Sequence, residues 1–323
     1  MAATKNDRSQ PSANKTKAAT VFIDGEAGTT GLEIRERLSH LDAIDVKSID
    51  PALRKDRGAR QELMRAADLV VLCLPDDAAR EAVALADDLG ADAPKIVDAS
   101  TAHRVSSGWV YGFAEMTADQ ADKIRNAARV ANPGCYPTGG IALLRPLVDA
   151  GIMPKDYPVT INAVSGYSGG GRTMIEAYEA GTAPPFDLYG LSLEHKHIPE
   201  LQTYTGLTRR PIFVPSVGNF RKGMLVSVPL HLDTLNGAPS VAEIEGVLAK
   251  YYDGADLVRV VRADKAPLSR LDAEALNGTD QLELFVTGKP EHAQAILIAR
   301  LDNLGKGAAG AAVQNIKLML GLT

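Results

Sequence analysis

The sequence predicts an α/β fold: a doubly wound parallel sheet domain, then an α+β domain built on a mixed or antiparallel sheet. Three observations predict it. From Thr20 to Ala131, short β-branched runs alternate with segments of helical period, the pattern of parallel strands joined by right-handed helical crossovers. After about Gly151 the runs become strands with period-two stretches and few helices between them. The length, 323 residues, exceeds what one core usually organises, so two domains are expected.

The elements follow in order. "TVFID" reads as a buried strand, "LEIRERLSH" as a helix, "AIDVKSI" as a second strand and "RGARQELMRAA" as a second helix. "DLVVLCLP" is continuous and apolar, as a strand covered on both faces must be. "DDAAREAVALADDLG" is a helix ending in glycine, "KIVDAS" and "ARVANPG" are strands, and Thr138 to Ala150 is a helix. Beyond it, "PVTINAVSGYSGGG", "MLVSVPLHL", "LVRVV", "QLELFVTG" and "AQAILIARL" read as strands. "GKGAAGAAVQNIKLMLGL" closes the chain as a helix that could pack back on the first domain. The expected division is therefore a disordered tail over 1–19, a first domain over 20–134 completed by a helix near 303–323, and a second domain over 135–302.

Bulk composition narrows the function. A net charge of -5 and the lack of a long basic stripe argue against nucleic acid as a partner. Two cysteines, with no CxxC pair, fit a reducing compartment. The polar start has no apolar h-region and no run is long enough to cross a bilayer, so a cytoplasmic protein is expected.

"VFIDGEAGTTGLEIRERL" places Gly25, Gly28 and Gly31 between strand and helix, with Thr29 and Thr30 opening the helix. Such a Rossmann-type loop allows a tight turn, backbone approach to a pyrophosphate and close helix–sheet contact, with free N–H groups at the helix start. The spacing is GxxGxxG rather than GxGxxG, and the strand–loop–helix context carries the reading. Without a ligand the same stretch is a tight βα turn. Asp50 follows the second strand, where a carboxylate would hold an NAD ribose; Lys47, Ser48, Arg54 and Lys55 around it suit a 2′-phosphate and lean towards NADP.

Cys135 sits in "NPGCYPTGG", on a turn at a helix N-terminus, where the dipole is expected to lower a thiol pKa from about 8.5 towards neutrality. Cys73, inside "VVLCLP", reads as inert core. A nucleophilic cysteine needs a base. In "EHKHIPEL", His195 and His197 share a face if the segment is extended, and Pro199 is expected to keep it non-helical. An HxH pair can bind metal, but no further ligands appear at a recognisable spacing, so no metal is expected. Two stretches suit anions: "DASTAHRV", with Ser100, Thr101, His103 and Arg104 after the fourth strand, and "SGYSGGGRT", with Ser165, Ser168 and Arg172. A dinucleotide site beside an activated cysteine predicts aldehyde-level oxidoreduction through an acyl-enzyme, since a thioester accepts hydride where a carboxylate does not.

"ANPGCYPTGG", "EHKHIPEL", "GEAGTTG", "DASTAHR" and "YGFAEM" together resemble the N-acetyl-gamma-glutamyl-phosphate reductases in their shorter form, within the semialdehyde dehydrogenase superfamily. The likeness runs from Val21 to Leu322. It implies reduction of N-acetyl-L-glutamyl 5-phosphate by NADPH to the 5-semialdehyde, with phosphate released, in arginine biosynthesis. It implies Cys135 as the nucleophile that forms the thioester, His197 as acid/base with His195 near substrate, and Arg104, Ser168 and Arg172 towards the substrate's anionic groups. "NLGKGAAGAAVQN" resembles the family's terminal segment, which makes Asn303, Lys306, Gly307 and Ala308 cofactor neighbours. A homo-oligomer is implied too. "YGFAEM" stands where the longer family form has "YGLPEL", which leaves Tyr111 and Glu115 open. The alternatives are an aspartate-semialdehyde dehydrogenase, whose cysteine normally follows asparagine, a non-catalytic NADP-binding regulator with Cys135 as redox sensor, and a Cys–His hydrolase, in which the glycine loop would have no purpose.

Overall fold

The computed structural model describes residues 18–262 and 268–322. Residues 1–17 of the expected tail lie outside them; Ala19 already pairs with Ile44. The first half alternates β1 (Ala19–Asp24), α1 (Thr29–Ser39), β2 (Ile44–Lys47), α2 (Arg57–Ala66), β3 (Leu69–Leu72), α3 (Asp76–Asp87) and β4 (Lys95–Asp98). Then come β5 (Val110–Tyr111), α4 (Gln120–Asn126), β6 (Arg129–Ala131) and α5 (Cys135–Asp149). Strands β1 to β6 form one parallel sheet in the order β2-β1-β3-β4-β6-β5.

Alternation along β1 explains why helices cover both faces. Val21 and Ile23 pack with α1 and α4 (Ile34, Ile124), while Phe22 faces α2 and α3 (Met64, Ala82), and all three strand residues are fully buried. The two-residue β5 and the short α4 carry too few periodic residues to stand out in the sequence.

The second sheet is mixed and built from β7 (Thr160–Gly166), β8 (Phe186–Leu188), β9 (Ile212–Gly218), β10 (Met224–His231), β11 (Val258–Val261), β12 (Leu282–Lys289) and β13 (Gln294–Leu301). Their order is β11-β12-β13-β10-β7-β9-β8. Interspersed are α6 (Gly171–Glu179), α7 (Ile198–Thr205) and α8 (Val241–Tyr251), more helix than the sequence pattern suggested. One face of this sheet is covered by α5, α7 and α8; the other leaves Ile212 and Ile296 half exposed.

Helix α5 runs along the covered face and buries Ile141, Leu143, Leu144 and Leu147 completely, each worth roughly 2 kcal/mol against exposure. Pro146 cannot donate to the carbonyl four residues back, and the Tyr252 hydroxyl donates to Ala142 O instead, at 3.0 Å. After β13 the chain makes a π-type turn over Gly305–Ala309 and enters α9 (Gly310–Leu320). Ile316 and Met319 of α9 pack into the first sheet's core beside α1 and α4. Among the described residues no helix is long and apolar enough to cross a membrane.

Candidate active site

The carboxyl ends of the first sheet, the start of α5 and the π-type turn enclose a cavity of about 330 Å³. Cys135 is the first residue of α5, with Gly134 as extended N-cap, so the helix begins three residues earlier than its sequence pattern suggested. Two glycines make room around the cysteine. A Cβ on Gly134 would come within 2.5 Å of His197 Nδ1, and one on Gly307 within 2.9 Å of Cys135 Cβ.

The histidine segment is arranged differently from the expectation. Pro199 does not hold it extended; it lies in the first turn of α7, where its missing N–H costs nothing, and His197 is the N-cap. The rings of His195 and His197 still lie 4.8 Å apart, and both line the cavity with Cys135.

Glu200, in that first turn, is the organising group that sequence reasoning passed over. It is 1 % exposed and accepts four hydrogen bonds. Oε1 takes His197 Nδ1 at 2.8 Å and Arg104 Nη1 at 2.9 Å; Oε2 takes the Tyr111 hydroxyl and the Gly134 N–H, both at 2.9 Å. Although burial alone would raise its pKa, Arg104, His197 and the Gly134 N–H hold the carboxyl down at about 2. The signal was its place three residues after His197, on one face of a helix that Pro199 concealed.

These bonds assign protons. An ionised Glu200 only accepts, so His197 carries its proton on Nδ1 and leaves Nε2 with a lone pair. Burial, with help from Arg104 and Lys196, lowers the His197 pKa against the opposing pull of Glu200. His195 Nδ1 accepts from the His197 backbone N–H at 3.2 Å, so its proton sits on Nε2; burial, then His197 and Lys196, lower its pKa to about 4. The two histidines therefore present opposite faces: a basic nitrogen from His197, an N–H donor from His195.

The cysteine reading is corrected in one respect. Burial pushes the Cys135 thiol up rather than towards neutrality, although Arg104, the Tyr136 N–H and Lys196 pull it down. The thiol is protonated at rest because desolvation outweighs the favourable helix start. Cys73 lies just beyond β3 rather than inside it, and burial with Asp98 and Asp24 pushes it to about 12.

The other expected residues divide. Arg104 is buried against Glu200 and lines the cavity, and its Nε has no hydrogen-bond partner among the described residues. Ser168 also lines it, bonded to Asn303 Nδ2 at 2.9 Å, and Asn303 Oδ1 accepts from Gly223 N. Arg172 does not reach the cavity: it is 85 % exposed on α6 and pairs with Glu176 one turn on. Ser100 and His103 are tied to Asp98, and Thr101 to Asp76. Lys306 points away into the protein, 1 % exposed, with Nζ 2.7 Å from Glu115, which accounts for that acid. Gly307 and Ala308 remain on the wall. Lys196, not singled out by sequence, is an exposed cation on the wall with no ion-pair partner among the described residues. Among the described residues no aspartate or glutamate lines the cavity, whose charged groups are Arg104 and Lys196.

At the glycine loop each glycine has its own reason. Gly25 has φ +91°, and a Cβ there would overlap the Cys73 carbonyl. A Cβ on Gly31 would lie 2.7 Å from Glu26 Cα. At Gly28, the N-cap of α1, a Cβ would meet nothing nearer than 3.5 Å, so the protein's own packing does not demand glycine. The bare surface there suits a dinucleotide's phosphates. Thr29 and Thr30 open into the cysteine cavity, and Gly25 and Glu26 into a second cavity of about 470 Å³ that also holds Arg54 and Lys55. Asp50 instead closes its own turn, accepting from Ala52 N, and Lys47 pairs with Asp45.

Comparison with known proteins supplies the lineage. A family model described as "Semialdehyde dehydrogenase, NAD binding domain" matches residues 20–124, and "Semialdehyde dehydrogenase, dimerisation domain" matches 135–303. N-acetyl-gamma-glutamyl-phosphate reductases of Brucella suis and Brucella abortus are 55% identical over 307 residues, covering 93% of this chain and 98% of theirs. In fold, the chain is similar to aspartate semialdehyde dehydrogenase II from Vibrio cholerae (TM-score 0.71, 14% identity, 95% of this chain and 99% of that one). It is similar also to the Francisella tularensis aspartate semialdehyde dehydrogenase (TM-score 0.70, 12% identity, 94% of this chain and 100% of that one). The chain belongs to the semialdehyde dehydrogenase family and, within it, to the N-acetyl-gamma-glutamyl-phosphate reductases.

Proposed function

We propose that the protein reduces N-acetyl-L-glutamyl 5-phosphate to N-acetyl-L-glutamate 5-semialdehyde with NADPH, releasing phosphate, as a step of arginine biosynthesis. One observation carries the reading: a helix-initiating cysteine and a neutral, carboxylate-oriented histidine line one cavity that adjoins the glycine loop and whose charged lining among the described residues is cationic. An anionic acyl phosphate suits such walls.

Cys135 Sγ attacks the acyl carbon as His197 Nε2 takes the thiol proton, and phosphate leaves. Because the resting thiol is protonated, this transfer belongs to the attack itself. Glu200 stabilises the imidazolium that forms, as a buried carboxylate does in a catalytic triad. Reduced nicotinamide, when bound, would supply the hydride that takes the thioester carbon to the hemithioacetal level. Imidazolium His197 returns its proton to the developing oxyanion, and collapse releases aldehyde and the thiol. His195 Nε2–H, Lys196, Arg104 and Ser168 position the substrate's anionic groups. Gly25, Gly28, Gly31, Thr29 and Thr30 would hold the pyrophosphate, Ser48 the adenosine ribose, and Gly307, Ala308 and Asn303 the nicotinamide end. Lys306 braces the turn bearing Gly307 instead of touching cofactor.

We further take residues 20–134 with α9 as the cofactor domain and 135–302 as the catalytic and dimerisation domain of a cytoplasmic homo-oligomer, in keeping with the matched family models. The test is Cys135→Ser. It should abolish phosphate-dependent NADP reduction by N-acetylglutamate semialdehyde while NADPH still binds, and mass spectrometry should find no acyl adduct. Turnover near the wild-type rate would refute the mechanism.

A further inference from the structure

Glu26, the residue after Gly25, reaches across to the end of β2. Its Oε2 accepts from Ser48 Oγ at 3.0 Å and pairs with Arg35 Nη1 at 2.5 Å. Arg35 Nη1 also donates to Ser48 Oγ. One carboxylate oxygen thus engages the Ser48 hydroxyl and Nη1 of Arg35 at the point where such folds distinguish a ribose 2′-hydroxyl from a 2′-phosphate. Glu26 also lines the second cavity, with Arg54, Lys55 and Arg60 as its cations. Arg60 is already committed, with Nη2 2.7 Å from Asp24, itself a lining residue, and Glu81 adds a third carboxylate to that wall.

The chemistry of the two riboses differs at this point. A 2′-hydroxyl donates to the Glu26 carboxylate and leaves the Arg35–Glu26 pair in place. A 2′-phosphate carries acceptors and negative charge, so it gains the Ser48 proton only by displacing Glu26, and it must share Arg35 with a carboxylate that repels it.

We propose that Glu26 is a coenzyme-specificity residue: it competes with the 2′-phosphate for Arg35 and Ser48 and thereby weakens the chain's discrimination between NADP-type and NAD-type nucleotides. This rests on the nucleotide reading above and deepens it, naming the residue that sets the margin of preference. Arg35 and Ser48 supply the attraction, and Glu26 limits it.

The test uses ligands without nicotinamide, so no turnover is needed. Adenosine 2′,5′-bisphosphate and ADP are titrated by calorimetry into the full-length protein and into Glu26→Gln, whose folding is checked by its melting temperature. Glutamine keeps an oxygen for Ser48 or a ribose hydroxyl but not the charge. The variant should bind the bisphosphate about tenfold more tightly, ~1.4 kcal/mol, with ADP affinity changed less than about twofold. Arg35→Leu should weaken the bisphosphate about tenfold and leave ADP nearly unchanged. If wild type binds both ligands but Glu26→Gln leaves their affinity ratio unchanged or lowers it, the inference is overturned while the nucleotide site stands. If wild type binds neither, the nucleotide reading falls and takes this inference with it.

Discussion

Replacing Glu200 by glutamine probes the site most deeply, because the change is nearly isosteric while the chemistry of four bonds depends on it. The carboxylate accepts from His197 and Arg104 on one oxygen and from Tyr111 and Gly134 on the other. An amide has one oxygen, so two of the four donors must face an NH2 group and lose their acceptor. Arg104 also loses its buried counter-charge, and breaking such a pair costs about 3–5 kcal/mol. The pKa gives a second route to the same size. A drop from 4.5 to about 2 represents on the order of 3 kcal/mol of folded-state stabilisation. Because the folded value is the lower one, this stabilisation is present above about pH 4.5 and is lost as pH falls towards 2. Glu200→Gln should therefore melt well below wild type at pH 7, and the gap should narrow as the pH falls through that window. If the amide nitrogen turns to His197, the ring must accept at Nδ1 and carry its proton on Nε2, which removes the base. General-base loss of this kind costs about a thousandfold in kcat, ~4 kcal/mol of barrier. The phosphate-dependent assay and a thermal melt decide it. A variant within tenfold of wild-type kcat with an unchanged melting temperature would refute the reasoning.

Three further outcomes follow from the geometry. His197→Asn should slow turnover by at least about a hundredfold more than His195→Asn, measured as kcat, because only His197 offers a basic Nε2; the reverse order would reassign the base. Arg172→Ala should leave kcat and KM within about twofold of wild type, since an exposed ion pair of this kind is worth under about 1 kcal/mol and lies away from the cavity. Gly31→Ala should lower the melting temperature through its clash with the Glu26 backbone, whereas Gly28→Ala should melt near wild type and lose nucleotide affinity in calorimetry; equal melting losses would remove the distinction.

Much of the fold was legible: the first sheet as apolar runs with helices between them, and the second as period-two stretches, though β8 and β9 went unread there. β5 and α4 were not legible because so few residues carry a period, and α7 was hidden by a proline that first turns tolerate. In the site, Cys135 and the two histidines stood out by residue type and setting. Glu200 did not, because its importance comes from four donors that approach from Arg104, Tyr111, Gly134 and His197, segments that only folding brings together. Arg172 and Lys306 misled for the converse reason: a cation near a motif in sequence says nothing about where a long side chain points. The raised Cys135 pKa has the same origin, since burial depends on the whole surrounding structure.

Helix α5 packs against β10, β13, α7 and α8, with the Cys135 sulfur on its first residue. The proposed nucleophile is therefore mounted on a firmly packed element. Any accommodation of differently sized acyl groups would fall to the solvent-exposed rim that Lys196, Gly169 and Gly170 form. A search for altered substrate range by directed change belongs on that rim, with the sulfur's mounting left untouched.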